Sequence, residues 1–275
     1  MKRSELFTKV IEQIKQNLSK GTIPWRRPWR IGVPMNYITR RPYNGINYLI
    51  LAMNDFPSPY YLTFLQCKML NGNIIKGSNG FPIVYWKLYN IYSSDEPEEN
   101  SLVKTIPLFR VSYVFNLAQT SLFKENMTDE HKNITAEEII SNLNPKPVIL
   151  HNIQRCYYDF QRDVISIPPV NQFNSPDEYY ASLFHELIHW TGHQSRLNRL
   201  NDRDNKEAKA IEEIVAELGS SFLCAWCGIE PKFLDNQSAY IESWLKLLND
   251  KPNAFIKAVY NAREAVNFIV PNIET

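Results

Sequence analysis

His185-Glu186-Leu187-Ile188-His189 is the stretch of sequence that decides the fold. Two histidines four residues apart lie on the same face of a helix, so both imidazoles can bind one tetrahedral ion. Glu186 follows the first histidine, where it can hold a water on the ion and take its proton as general base. The pattern is typical of zinc metallopeptidases. It predicts one Zn²⁺, or another divalent metal such as Mn²⁺, bound by His185 and His189, with Glu186 as the catalytic residue.

The residues around this stretch predict the helix that carries it. Ser175 can cap the N-terminus, Pro176 suits the first helical position, and Glu178 can complete a capping box. Gly192 then ends the helix. The competing interpretation is an amphipathic helix with surface histidines, but three of the five histidines in the chain fall within residues 185–193. We therefore expect a helix with one buried side and one side that faces a cleft.

A catalytic zinc site needs a third protein ligand. Downstream, Glu213 and Glu217 are four residues apart and share one helix face, an arrangement that resembles the gluzincin metallopeptidases. We assign Glu213 as the third ligand and Glu217 as the partner of a ligating histidine, and the reverse assignment stays open. His193 is an alternative ligand, although an unbroken helix would place it two turns from His185. Glu212 is expected to point into solvent.

The N-terminal part of the chain is strongly basic. The 275 residues have a formal net charge of +1, but the first fifty contain ten basic and only two acidic side chains. Such an asymmetry predicts a polyanionic partner. Residues 23–47 also interleave aromatic and basic side chains, which is typical of proteins that stack unpaired bases and contact phosphates. The candidate DNA-binding residues are Trp25, Arg26, Arg27, Trp29, Arg30, Arg40, Arg41, Tyr43 and Asn47.

A second interpretation of this basic segment is structural. In it, Trp25 and Trp29 pack on the first helix and the arginines are solvated. A proline-rich linker can have this composition, since Pro24 and Pro28 exclude a regular helix or a central strand. The two interpretations differ in whether the indole rings are exposed.

The cysteine content points to a reducing compartment. Cys67, Cys156, Cys224 and Cys227 do not have the spacing of a disulfide framework. Cys224 and Cys227 have the spacing of a metal-binding pair, but no second pair accompanies them, so we interpret them as core cysteines. The sequence contains neither a signal peptide nor an apolar run long enough to cross a bilayer. These features predict a cytoplasmic protein without a membrane partner.

Hydrophobic periodicity and turn residues predict the remaining elements and an α+β fold. In chain order, the predicted elements are helices at 4–19 and 60–70, strands at 81–89 and 103–116, and a short helix that residues 135–138 begin. Strands at 148–151, 156–160 and 163–167 and helices at 205–227, 241–245 and 253–270 follow. We divide the chain into an N-terminal α+β domain at 1–125, a linker at 126–147, and a metallopeptidase domain at 148–275. The second domain is expected to consist of a small antiparallel sheet plus helices, the zincin layout.

Several stretches of this sequence resemble one protein family. They are residues 21–29, 42–47, 63–66, 83–86 and 114–116 in the first half, and 185–193, 196–199 and 212–218 in the second. The resemblance runs nearly from end to end, and these motifs are more specific than H-E-x-x-H alone. The chain is similar to the ArdC-type antirestriction proteins.

The resemblance implies an N-terminal domain that binds single-stranded DNA without sequence specificity, followed by a zincin-like metallopeptidase domain. Such proteins are carried by conjugative plasmids and other mobile elements and shield the transferred strand from restriction. Two hypotheses follow. In the first, the protein is a zinc-dependent peptidase that DNA localises and whose protein or peptide substrate is unknown. In the second, it is a non-catalytic coat for single-stranded DNA, and its metal site is structural or vestigial.

Overall fold

The computed structural model describes residues 3–26, 32–92, 102–124, 134–151, 155–200, 205–229 and 237–271. Its helices are α1 (Arg3–Ser19), α2 (Gly45–Ala52), α3 (Phe64–Met69), α4 (Ala136–Ser141), α5 (Pro176–Thr191), α6 (Lys206–Cys227), α7 (Gln237–Asp250) and α8 (Pro252–Ile269). Its strands are β1 (Met35–Asn36), β2 (Tyr60–Thr63), β3 (Phe81–Tyr92), β4 (Leu102–Asn116), β5 (Val148–Leu150), β6 (Tyr157–Asp159) and β7 (Val164–Ser166). None of the helices in these ranges is both long and apolar enough to cross a membrane.

The first sheet has the strand order β1-β2-β4-β3. β1 and β2 are parallel, whereas β4 is antiparallel to both of its neighbours. The predicted pair of long strands, β3 and β4, is confirmed, and the loop between them lies outside the described residues. The predicted helix at 60–70 is wrong in its first part, because Tyr60–Thr63 is a strand. Thr63 ends this strand and caps α3, since its hydroxyl accepts a hydrogen bond from the Gln66 N–H.

Helix α2 was not predicted from the sequence. Nearly all of its residues are buried, so its sequence has no polar face and no helical periodicity. The ring of Tyr48 lies 4.6 Å from that of Phe222 on α6. The Asn47 side chain donates a hydrogen bond to the Val84 carbonyl of β3 and accepts one from the Val84 N–H, both at 2.7 Å. α2 therefore connects the first sheet to the helices of the second half.

The second sheet has the strand order β5-β7-β6. β6 and β7 form the predicted hairpin, but β5 is parallel to β7, so this sheet is mixed and the prediction of an antiparallel sheet is wrong. Helix α5 packs against β6 and β7. Within the described chain β6 pairs with β7 alone, which leaves its other edge open. The combination of separate sheets and helices confirms the α+β class.

One hydrophobic core joins the two halves of the chain. The ring centroid of Trp25 lies 5.0 Å from that of Trp244 on α7 and 5.8 Å from that of Phe255 on α8. Helix α1 also packs on α7, and α2 packs on α8. The predicted linker at 126–147 contains α4, whose Ala136 is buried in the same core. The core therefore crosses the predicted domain limits, and those limits stay predictions.

Helices α5 and α6 start and end at the residues that the sequence indicates. The Ser175 hydroxyl accepts a hydrogen bond from the Glu178 N–H at the start of α5. Asn205 caps α6 in the same way. Gly228 has a φ of 69° and ends α6 in the left-handed conformation that glycine adopts without strain. Gly192 ends α5 in a right-handed conformation. The two helices pack extensively on each other.

Gly219 determines how closely α5 and α6 approach. A Cβ atom at Gly219 would lie 2.6 Å from Cδ1 of Ile188, and the Ile188 side chain is fully buried. We expect Gly219→Ala to lower the free energy of unfolding by about 1–3 kcal/mol, because overpacking outweighs the roughly 1 kcal/mol gain in helix propensity. Urea denaturation measures this effect. Adding Ile188→Val removes Cδ1 and should recover part of the loss; strictly additive effects would contradict a direct contact.

Candidate metal centre

Two histidines of α5 and one glutamate of α6 converge on the same point. His185 and His189 lie one turn apart, with ring centroids 4.9 Å apart. Nε2 of His185 is 3.5 Å from Oε2 of Glu213, and Nε2 of His189 is 3.6 Å from Oε1 of the same carboxylate. One ligand-type atom from each of the three side chains lies within 4.8 Å of the others. Helices α5 and α6 therefore bring together three side chains of the kinds that bind metal ions.

The spacing of these atoms suits one ion. Zinc ligands lie about 2.0–2.2 Å from the metal, so two ligands of a tetrahedral site are about 3.4 Å apart. The nitrogen–oxygen distances of 3.5 and 3.6 Å are close to this value. Two imidazole nitrogens and a carboxylate oxygen also suit Zn²⁺ and other first-row divalent metals. The residues present fit a divalent ion, and the geometry favours Glu213 over Glu217 as the third ligand.

The outward-facing nitrogens of both histidines point to two other carboxylates of α6. Nδ1 of His185 lies 3.9 Å from Oε1 of Glu217, and Nδ1 of His189 lies 3.4 Å from Oε1 of Glu212. The His189–Glu212 contact is within hydrogen-bonding distance, so Nδ1 of His189 can donate to Glu212 and leave Nε2 for a metal. The 3.9 Å between Nδ1 of His185 and Glu217 is too long for a hydrogen bond. Glu217 thus lies beside His185, at the ring nitrogen that faces away from Glu213.

Glu212 does not point into solvent, which corrects the sequence prediction. Its side chain is largely buried and accepts hydrogen bonds from Nε and Nη2 of Arg199, at 3.2 and 2.9 Å. Arg199 also donates to the Ile188 carbonyl and the Thr191 hydroxyl at the end of α5. Burial raises the pKa of Glu212, but the hydrogen bonds from His189 and Arg199 outweigh it and hold the pKa below its usual range. Arg199 and Glu212 therefore fix the orientation of His189.

Glu186 lies beside the cluster and faces the same cleft. Its side chain is buried, with 7% of the residue surface exposed. Burial raises the pKa of Glu186, while the neighbouring His185 and His189 and the Tyr158 N–H lower it in part. Glu186 is placed to exchange a proton with a molecule that enters the cleft.

An open cleft of about 1030 Å³ leads to these residues. One side is formed by α5 and α6, and the other side includes Tyr157, Tyr158 and Asp159 of strand β6. Since this strand keeps one edge unpaired within the described part of the chain, its backbone groups can pair with an extended peptide. The cleft can hold a peptide backbone beside Glu186 and Glu213.

His193 lies apart from the ligand-type cluster. Its Nδ1 is 2.8 Å from the Ser195 hydroxyl, and its ring packs on Phe160 with a centroid distance of 4.7 Å. The cluster of His185, His189 and Glu213 does not include His193, so the geometry favours Glu213 over His193 as the third ligand. The neighbouring Arg196 forms an ion pair with Asp163, which anchors the hairpin of β6 and β7 to the end of α5.

Three of the nine candidate DNA-binding residues are buried, which corrects the sequence prediction for them. Trp25 is 1% exposed, and Tyr43 and Asn47 are also buried. Trp25 is enclosed by Trp244 and Phe255, so its indole ring cannot stack on a base without leaving the core. The alternative interpretation, in which the tryptophan packs inside the protein, is correct for Trp25.

The arginines of the same segment stay candidates for DNA contacts. Arg40 and Arg41 are exposed. The guanidinium of Arg40 lies over the rings of Tyr37 and Tyr60, at 4.9 and 4.3 Å from their centroids. Arg27, Trp29 and Arg30 lie outside the described residues, and of Arg26 only the backbone is described.

Both halves of the chain match known family models. Residues 4–115 match the N-terminal domain of anti-restriction factor ArdC, and residues 135–261 match a zincin-like metallopeptidase. The chain is also 29% identical, across 95% of its length, to DNA primase TraC from Escherichia coli. It spans only 26% of the length of that primase.

Two crystal structures of the antirestriction protein ArdC from plasmid R388 are similar to almost the whole chain. The metal-free structure superposes with a TM-score of 0.77 and 30% sequence identity, and the similarity covers 97% of each chain. The Mn(II)-bound structure gives a TM-score of 0.76 at 30% identity and covers 98% of each chain. The zincin-like fold of the second half and the resemblance of the whole chain are thereby confirmed. This protein belongs to the ArdC family of antirestriction proteins.

Proposed function

We propose that this protein is a divalent-metal-dependent peptidase that binds single-stranded DNA without sequence specificity. The observation that carries the proposal is the convergence of His185, His189 and Glu213 beside the buried Glu186 in an open cleft. This is the residue set that metal-assisted hydrolysis of an amide bond requires. Antirestriction activity, which is a property of the family, would then depend on a protein substrate that the bound DNA brings close to the cleft.

The proposed cofactor is one divalent ion, held by His185, His189 and Glu213. The Mn(II)-bound structure of the R388 relative supports a divalent metal as the cofactor. Zn²⁺ is the ion that the donor set favours, since imidazole nitrogen and carboxylate oxygen are common ligands of catalytic zinc. When bound, such an ion supplies a Lewis acid that polarises a carbonyl group and a water.

The residues of the chain supply the rest of the chemistry. A peptide is held along β6 by backbone hydrogen bonds, which places its scissile carbonyl near the metal ligands. Glu186 accepts a proton from the attacking water and delivers it to the departing amine. Glu212 keeps the His189 imidazole oriented, because it accepts a hydrogen bond from Nδ1–H at 3.4 Å. The charge of Glu217, 3.9 Å from Nδ1 of His185, favours the same orientation of the second imidazole.

Single-stranded DNA is the proposed partner of the N-terminal part. The excess of basic residues among the first fifty supports an interaction with phosphates, and Arg40 and Arg41 are exposed there. The match of residues 4–115 to the N-terminal domain of ArdC supports the same assignment. Because phosphate contacts carry no sequence information, binding is expected to depend on salt and hardly on sequence.

The test uses the full chain loaded with Zn²⁺ or Mn²⁺. We expect cleavage of fluorescein-labelled casein that EDTA abolishes and added metal restores, and binding of a labelled oligothymidylate that weakens as salt increases. Heat-denatured protein, treated identically, is the control. If the metal-loaded protein binds the oligonucleotide but cleaves no protein, the peptidase assignment fails and the non-catalytic coat is the better hypothesis.

A further inference from the structure

A second cavity lies beside α8 and shares one lining residue, Lys257, with the metal cleft. It is formed by the first turns of α1 and α2, by β3 and by α8, and its volume is about 580 Å³. Cavities that hold small organic molecules are usually about 300–1,000 Å³. This cavity therefore has room for a group of the size of a nucleotide.

The side chains around this cavity have the character of a nucleotide site. Phe7, Tyr85 and Tyr260 supply aromatic rings, and Lys257 and Arg263 supply positive charge. Tyr85 is 42% exposed and Tyr260 is 53% exposed, so both rings are accessible. Among the described residues that line the cavity, none carries a carboxylate. Aromatic rings beside cations, without acids, suit a base and its phosphate and disfavour a peptide of mixed charge.

The start of α2 holds one of these cations in place. A Cβ atom at Gly45 would lie 3.3 Å from both Cβ and Cδ of Arg263. The glycine thus lets the arginine stem lie against the α2 backbone. Gly45 also has a φ of 53°, a conformation in which a side chain would be strained. This packing directs Arg263 along the cavity wall.

This cavity and the metal cleft lie along neighbouring faces of helix α8, and one residue borders both. Ile256, Tyr260 and Arg263 line the second cavity, whereas Asn261 lines the metal cleft. Lys257 lines both. A molecule in the second cavity therefore lies next to the metal cleft, and Lys257 can contact it from the border of the two.

We propose that this second cavity binds one nucleotide unit of single-stranded DNA. Its base stacks on Tyr85 and Tyr260, and its phosphates contact Lys257 and Arg263. This inference rests on the proposed binding of single-stranded DNA and assigns it a site. It also places the DNA strand next to the metal cleft, so DNA and a protein substrate bind on either side of Lys257.

The first experiment removes the aromatic rings. We expect the variant with Tyr85→Ala and Tyr260→Ala to bind a labelled oligothymidylate at least about tenfold more weakly than wild type, because each base–ring stack contributes substantially to affinity. Tyr113→Ala is the matched control, since Tyr113 is 48% exposed on β4 and lines neither cavity. Thermal unfolding shows whether the variants remain folded. An affinity of the double variant equal to that of Tyr113→Ala would overturn the proposal.

The second experiment counts phosphate contacts. For single strands, the slope of log K against log salt concentration changes by about 0.7 for each phosphate contact. We expect Lys257→Met to make this slope shallower by about that amount. Lys246→Met, a substitution of an exposed lysine on α7 that lines neither cavity, should leave it unchanged. Equal slopes for the two variants would contradict a phosphate at Lys257.

A third measurement distinguishes a strand from a free nucleotide. If thymidine monophosphate binds as tightly as the oligothymidylate, the cavity is a mononucleotide site and the assignment to a DNA strand is wrong. The failure of this inference is also distinguishable from that of the proposed function. If the wild-type protein binds no oligothymidylate, both the proposed binding of single-stranded DNA and its site are wrong. If the wild-type protein and the double variant bind it with equal affinity, only the assignment of the site is wrong.

Discussion

Glu186→Gln is expected to lower the rate of casein cleavage by about 10²–10⁴-fold, the usual contribution of a general base. Glutamine has the shape of glutamate and keeps the packing of this buried position, but it cannot accept the proton of the attacking water. Metal affinity should change by less than about threefold, because Glu186 is not one of the three residues that fit the ion. Cleavage assays and isothermal titration with Zn²⁺, both on the full chain, measure the two quantities.

The combination of outcomes makes this experiment decisive. Binding of an oligothymidylate by the Glu186→Gln variant should equal that of wild type, which shows that the substitution leaves the fold intact. Asp177→Asn, at an exposed position in the first turn of the same helix, is the matched charge control and should retain cleavage. Substantial cleavage by Glu186→Gln would remove Glu186 from its assigned role. A loss of metal affinity equal to the loss of cleavage would show that the residue acts on the metal site instead.

The sequence predicts the central part of this site because local geometry determines it. A spacing of four residues fixes His185 and His189 on one helix face, whatever surrounds the helix. The same argument places Glu213 and Glu217 together on α6. What local geometry cannot provide is the angle and distance at which the two helices cross. Gly219 sets that distance through its contact with Ile188, and nothing near Gly219 in the sequence indicates the contact.

Glu212 illustrates the limit of such reasoning. Its position on α6 predicts exposure if α6 is considered alone. In the folded protein, Arg199 lies in the loop after α5 and forms an ion pair with Glu212 at 2.9 Å. A buried acid with this partner is stable, whereas an unpaired one would be costly. The partner lies thirteen residues earlier and outside either helix, so only the three-dimensional structure identifies it.

Trp25 and α2 show the same limit in the N-terminal part. Interleaved aromatic and basic residues are compatible both with stacking on bases and with packing on a distant helix. The partners of Trp25 are on α7 and α8, near the other end of the chain. Helix α2 is buried on nearly every side, which removes the polar face by which a helix is recognised in a sequence. In both cases the missing information is a long-range contact.

Glu213→Gln is expected to weaken Zn²⁺ binding by more than about a hundredfold, whereas Glu217→Gln and Glu212→Gln should each weaken it by about 10–100-fold, as partners of ligating histidines usually do. The reason is geometric. Glu213 alone approaches both Nε2 atoms, at 3.5 and 3.6 Å, whereas Glu217 and Glu212 approach Nδ1 atoms. Glu207→Gln, at an exposed position on the same helix, is the control and should bind Zn²⁺ as wild type does. Titration at constant pH measures all four affinities. A neutral amide at the ligand position removes a charged metal ligand, whereas at the outer position it only weakens the interaction with a histidine Nδ1. If Glu217→Gln lowers the Zn²⁺ affinity more than Glu213→Gln does, the assignments of ligand and outer partner must therefore be exchanged.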